Sequence, residues 1–293
     1  MGSPRKSCLG AIALLALLVF AGGAGCNSSR NSPSPAQAAQ LGITVVAPLN
    51  GSAASNHVAC VEHMRHLPRH AAFEARTFTN AGQPPLRYLL FRPENIQTNA
   101  RYPLVLSLHG GAPRRNFEDL LEPYLPGLAY GLGRLVSIET QTAHPSFVVA
   151  PWSNNQSWDD ANLQLVTALL ASLEREFPID PKRRYVTGQS MGGFGTWSAI
   201  TLYPAYFAAA VPICGGGEPS TVKAPWQTPV WAFHGAADQV VPVQYTREMI
   251  AAVRRAGGHP VYFEYSDADH SGAAERAYCE LGLIEWLFAQ ARP

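Results

Sequence analysis

Cleaving an acyl bond without a metal needs a nucleophile, a base that strips its proton and a group that fixes the base; this chain supplies all three in well-separated stretches. Gly188-Gln189-Ser190-Met191-Gly192 matches G-x-S-x-G, the nucleophile elbow. A strand over Arg184–Thr187 must reverse there into a helix from Met191, which forces Ser190 into a strained backbone conformation. Gly188 and Gly192 let the two arms approach. His270, in Ser266-Asp267-Ala268-Asp269-His270-Ser271-Gly272, is the expected general base and acid, ahead of His109 and His234. Asp238 follows a strand at a position from which it can reach a histidine of the next βα segment, so it is expected to set the imidazole's tautomer. Asp267 and Asp269 are its rivals, but short loop neighbours have difficulty reaching the far ring nitrogen.

An acyl-transfer site also needs N–H donors where negative charge develops on the carbonyl oxygen. Met191, at a helix N-terminus, supplies one, and the loop His109-Gly110-Gly111 supplies another from a backbone with no side chain in the way. His109 is expected to brace this loop. Trp152 and Trp158, in the loop after the strand Ser146–Ala150, are expected either to wall a substrate pocket or to cover the rim of the core.

These residues need a scaffold with one common rim. Phe73–Thr79 and Leu86–Arg92 read as strands around a turn, and Pro103–Leu108, Ser146–Ala150, Ala208–Ile213, Pro229–Phe233 and Pro260–Tyr265 as further strands. Helices are expected over Asp160–Phe177, Met191–Tyr203, Gln244–Ala256 and Ala273–Ala289. The alternation predicts an α/β fold with a mostly parallel sheet flanked by helices, whose strand ends share one edge. Cys214–Thr228 is too short to hold a large lid domain, so the cleft is expected to be open.

The 293 residues, nearly half of them apolar, suffice for one large core, and a net charge of +1 without a basic stripe points away from nucleic acid. Residues 1–25 have the layout of a signal peptide: Arg5-Lys6, an apolar run over Leu9–Phe20 and small residues to Gly25. Cys26 then resembles the acylated cysteine of a bacterial lipoprotein, although Gly23 stands where a leucine is usual; soluble secretion and an uncleaved anchor are the alternatives. Residues 26–42 read as a flexible tether rich in Ser, Pro, Ala and Gln, residues 43–72 as an N-terminal extension and residues 73–293 as the catalytic domain. An exported enzyme at the periplasmic face or cell surface is expected, meeting a membrane only through its N-terminal lipid or signal. Of Cys60, Cys214 and Cys279, at least one must be free, and spacing does not choose the pair. His57, His63, His66 and His70 lie close together, yet without a second paired motif no metal is expected; no phosphate loop or dinucleotide fingerprint calls for a cofactor.

The order Ser190, Asp238, His270 is that of the α/β-hydrolase fold. PLRYLLFRPENI, PLVLSLHGG, YVTGQSMGGFGTW, FAAAVPICGGG, PVWAFHGAADQVVPV and the His270 segment together resemble bacterial exported peptidases or esterases related to polyhydroxybutyrate depolymerases and feruloyl esterases. The resemblance spans Phe73 to the C-terminus and implies a Ser190, Asp238, His270 triad with an oxyanion hole at Met191, Gly110 and Gly111. It departs at Ala112-Pro113-Arg114-Arg115-Asn116 and at Ser271-Gly272, both near the expected cleft. The expected activity is hydrolysis of carboxylic esters, bulky or polymeric ones included. A peptidase like the prolyl oligopeptidase catalytic domain and a non-catalytic surface binding protein are the alternatives.

Overall fold

Tyr102–Leu108 (β4) is buried at every position, as a strand covered on both faces must be. In the computed structural model, which describes residues 44–48, 51–66, 73–111, 117, 129–153 and 157–293, this strand lies inside a nine-stranded sheet. The other strands are β1 (Thr44–Val46), β2 (Glu74–Phe78), β3 (Leu86–Phe91), β5 (Phe147–Pro151), β6 (Ile179–Gln189), β7 (Ala209–Ile213), β8 (Trp231–Gly235) and β9 (Val261–Tyr265). Their order is β1-β9-β8-β7-β6-β4-β5-β3-β2, parallel from β1 to β5, with β3 antiparallel to both of its neighbours. The signal peptide, the tether and Cys26 lie outside the described residues.

Side chains of alternate strand residues go to opposite faces. Leu104, Leu106 and Leu108 join one core with α4 (Asp160–Glu176), α5 (Met191–Leu202) and α6 (Gln244–Arg255). Val105 joins the other, with α2 (Ala129–Val136), which α3 (Ile138–Ala143) follows, α7 (His270–Tyr278) and α8 (Leu283–Ala289). Helices therefore cover both faces, and the parallel strands β4, β6, β7, β8 and β9 deliver the residues that follow them to one rim.

Two features depart from the sequence pattern. Thr44–Val46, within the expected extension, pairs in parallel with β9 and adds an edge strand. The single closing helix expected over Ala273–Ala289 is two helices: Asp269 caps the first, accepting from the Gly272 N–H at 2.7 Å, and Gly282 at φ 80° starts the second. A left-handed residue cannot continue a helix, so the break falls where glycine tolerates it.

α1 (Gly51–His66) carries Cys60, which forms a disulfide with Cys279 just beyond α7, leaving Cys214 as the free, buried cysteine among the described residues. The bond closes a loop of sequence separation 219. Large loops lose most entropy on cross-linking, so Cys60→Ser should cost about 2–4 kcal/mol and lower Tm by roughly 5–10 °C. Thermal denaturation of the variant against wild type, each with and without reductant, checks this: the variant should be insensitive to reductant.

Candidate active site

Ser190 stands between β6 and α5 at φ 58° and ψ −121°, a positive-φ conformation that a residue with a Cβ rarely adopts. The strain is held from both sides. Its N–H donates to the Ile213 carbonyl at 2.9 Å, and its own carbonyl accepts from the Phe194 N–H at 2.9 Å. The side chain forms no cap bond to the helix, so the hydroxyl of this half-buried residue is not spent on folding. Met191 N–H, the first of α5, has no acceptor within the helix.

The His109-Gly110-Gly111 loop lies against this turn. A Cβ on Gly110 would come within 3.0 Å of the Gln189 carbonyl oxygen and 3.5 Å of Ser190 Cβ, so the close approach depends on glycine. His109 fixes the loop. Its ring is buried 4.9 Å from Trp158 and 5.0 Å from Trp152, centroid to centroid. Its Nε2 accepts from the Ser153 N–H at 3.0 Å, which puts the proton on Nδ1, 2.9 Å from the Gly110 carbonyl. Trp158 is 4% exposed, donates to the His109 carbonyl at 2.8 Å and packs on Gly195. It therefore supports the loop from beneath, and of the two tryptophans only Trp152 keeps a partly exposed surface.

Asp238 and His270 meet directly. His270 Nδ1 donates to Asp238 Oδ2 at 2.6 Å, while Asp238 Oδ1 accepts from the N–H groups of Val240 and Val241 at 2.8 and 2.9 Å. Burial opposes ionisation of Asp238, but hydrogen bonds from His234 and His270, attraction to the protonated form of His270 and the Val241 N–H outweigh it and hold the carboxyl well below the usual carboxylate range. Its rivals are engaged elsewhere: Asp267 pairs with Arg276 at 2.6 and 2.8 Å, and Asp269 caps α7. The His270 backbone is tied to the elbow, since its carbonyl accepts from Gln189 Nε2 at 3.2 Å. Among the described residues, no hydrogen bond joins Ser190 Oγ to the His270 ring. Nucleophile-to-base bonds commonly tighten only when substrate binds.

The profile of the Dienelactone hydrolase family matches residues 148–281, the stretch that carries the elbow, Asp238 and His270. A crystal structure of a thermostable esterase superposes with a TM-score of 0.69 at 35% identity, over 76% of this chain and 64% of that one. This chain has the α/β-hydrolase fold. Among curated relatives, the bifunctional acetylxylan esterase/xylanase XynS20E of Neocallimastix patriciarum is 28% identical over 53% of this chain and 22% of its own length. A probable feruloyl esterase C of Aspergillus flavus is 28% identical over 53% of this chain and 56% of its own. The chain thus spans from about a fifth to just over half of the length of these curated relatives.

Some apolar groups at this rim were not singled out by sequence. Phe194, one helical turn after Ser190, and Tyr245 pack edge to face with centroids 5.8 Å apart, and Val240 beside Asp238 is 68% exposed. Cys214, His234 and Asp238 bring ligand-type atoms within 4.8 Å of one another. These donors are already engaged: the Cys214 thiol donates to the His270 carbonyl at 3.7 Å, and burial, then the nearby Asp238 charge, push it well above an ordinary thiol. Of the histidine-rich stretch, Cys60 is in the disulfide, the side chains of His63 and His66 lie outside the described residues, and so does all of His70.

Proposed function

We propose that the protein is a serine esterase whose triad is Ser190, His270 and Asp238. The observation that carries this reading is the 2.6 Å bond from His270 Nδ1 to Asp238, at the same rim as a serine held at φ 58°. His270 Nε2 takes the proton from Ser190 Oγ as the oxygen adds to the ester carbonyl carbon. Met191 and the Gly110-Gly111 loop offer N–H groups to the oxyanion. The tetrahedral adduct collapses to an acyl-serine, and His270 passes its proton to the departing alcohol. Water then repeats the cycle: it gives a proton to His270, attacks the acyl carbon and releases the acid, and the proton returns to Ser190.

Bulky esters, such as acylated carbohydrates, suit the site. Cys214–Thr228 is too short to hold a large lid domain, Trp152 offers a flat apolar face, and relatives are named acetylxylan and feruloyl esterases. The composition of residues 1–25 supports export, with Cys26 as the lipid attachment point and residues 26–42 as the tether.

A fluorophosphonate probe should label the wild type and not Ser190→Ala, and p-nitrophenyl esters should turn over faster than peptide anilides. Wild type that does not label returns the chain to a binding role. Anilide turnover without ester turnover makes it a peptidase.

A further inference from the structure

Asp238 touches a second imidazole. His234, in the last turnless stretch of β8, is fully buried, and its Nε2 lies 3.3 Å from Asp238 Oδ2, the same oxygen that receives His270. We propose that His234 is a buried imidazolium, a positioning residue whose charge holds the Asp238 carboxylate and keeps His270 in its basic, neutral form; this rests on the triad reading above.

The assignment follows from counting protons. His234 Nδ1 is 2.7 Å from Thr246 Oγ1, which is 2.6 Å from the Gly215 carbonyl oxygen. A hydroxyl has one proton and a carbonyl has none, so at that separation the threonine proton lies toward Gly215. Thr246 Oγ1 is then the acceptor, and Nδ1 carries a proton. Nε2 faces the Val241 carbonyl oxygen at 3.0 Å as well as Asp238 Oδ2, and neither of these can donate. A lone pair on Nε2 would point at two acceptors in a dry site, which is costly, so Nε2 is also protonated.

The surroundings leave Asp238 as the counter-charge. From β7, Cys214 is a neutral buried thiol. From β9, Glu264 is the register partner of His234, but Arg247 of α6 engages both its oxygens at 2.6 and 2.9 Å, and Tyr262 donates to it at 2.9 Å. The carboxylate that would otherwise pull a proton strongly onto His270 is therefore shared with a standing cation. His270 must be neutral to take the proton of Ser190, and a nearby positive charge disfavours a second one. Losing the charge at 234 should let His270 protonate at higher pH.

Two measurements on the full chain test this. In histidine-selective ¹⁵N spectra of the wild type at neutral pH, both ring nitrogens of His234, assigned by comparison with His234→Gln, should carry protons; an unprotonated nitrogen there overturns the proposal. His234→Gln keeps an N–H toward Val241 and removes the charge, so the acidic limb of kcat/KM should move up by about one pH unit. Thr246→Val, which removes the acceptor at Nδ1, should move it the same way and serves if the glutamine variant does not fold. A limb that stays in place in a folded variant, with the rate merely lowered, leaves His234 as packing and sinks the positioning role. Ser190→Ala should leave both nitrogens protonated, so failure of the triad, seen as absent labelling, is read separately from failure here.

Discussion

Ser190→Ala and His270→Ala should each lower kcat on a p-nitrophenyl ester by about 10⁴-fold or more. The serine variant has no atom to form the acyl intermediate, and the histidine variant has none to take or return the proton. Asp238→Ala should lose less, because the carboxylate bonds to His270 and two backbone N–H groups beside His234, and in the proposed mechanism it acts on the substrate only through His270. The double variant of Ser190 and His270 should be no worse than the poorer single one, as the proposed triad requires of side chains that act as a unit. Turnover should be measured after active-site titration of the wild type to exclude trace contamination, with circular dichroism confirming that each variant is folded. Full activity in Asp238→Ala would transfer the acid role elsewhere. The neighbouring carboxylates are poor heirs, since Asp267 is held by both nitrogens of Arg276 and Asp269 by the first turn of α7.

How much of this was legible in the sequence varies with the range of the interaction. The continuous apolar run of β4 and the stripe Leu163, Val166, Leu170 and Leu173 of α4 are local patterns, and both elements lie where those patterns put them. The elbow was legible for the same reason: the glycines that let its arms approach, Gly188 and Gly192, stand two positions either side of Ser190. The short edge strand Thr44–Val46 carries no pattern of its own and exists through pairing with β9, more than two hundred residues on. Trp158 read as well for a pocket wall as for a core residue, because only the folded chain places the His109 carbonyl within reach of its indole N–H. His234 stands outside the expected triad, and its ring meets Asp238, Thr246 and Val241. Its four-residue spacing from Asp238 was visible all along, but the meaning of that spacing depends on Thr246 and Gly215, which no local pattern connects to it.

Gly192→Ala should remove activity by breaking the scaffold while leaving the chemistry of the triad intact. A Cβ built on Gly192 would stand 1.9 Å from the Leu108 carbonyl oxygen, 2.7 Å from the Leu108 carbonyl carbon and 2.9 Å from the His109 carbonyl oxygen. All three are backbone atoms, so no rotamer change relieves the overlap; the start of α5 must separate from the end of β4. That movement carries the His109-Gly110-Gly111 loop away from Ser190 and opens the space in which the proposed oxyanion donors converge. Overpacking of this kind against fixed backbone should cost about 3–5 kcal/mol, which lowers Tm by roughly 10–15 °C or prevents soluble expression. Gly257→Ala is the matched control: φ there is +84°, but nothing lies within 4 Å of the added carbon, so the change should cost only about 1 kcal/mol and spare turnover. If the two variants melted together and hydrolysed ester equally well, β4 and α5 would have to be free to part without consequence, and the close packing of loop on elbow would no longer explain how the oxyanion donors are held.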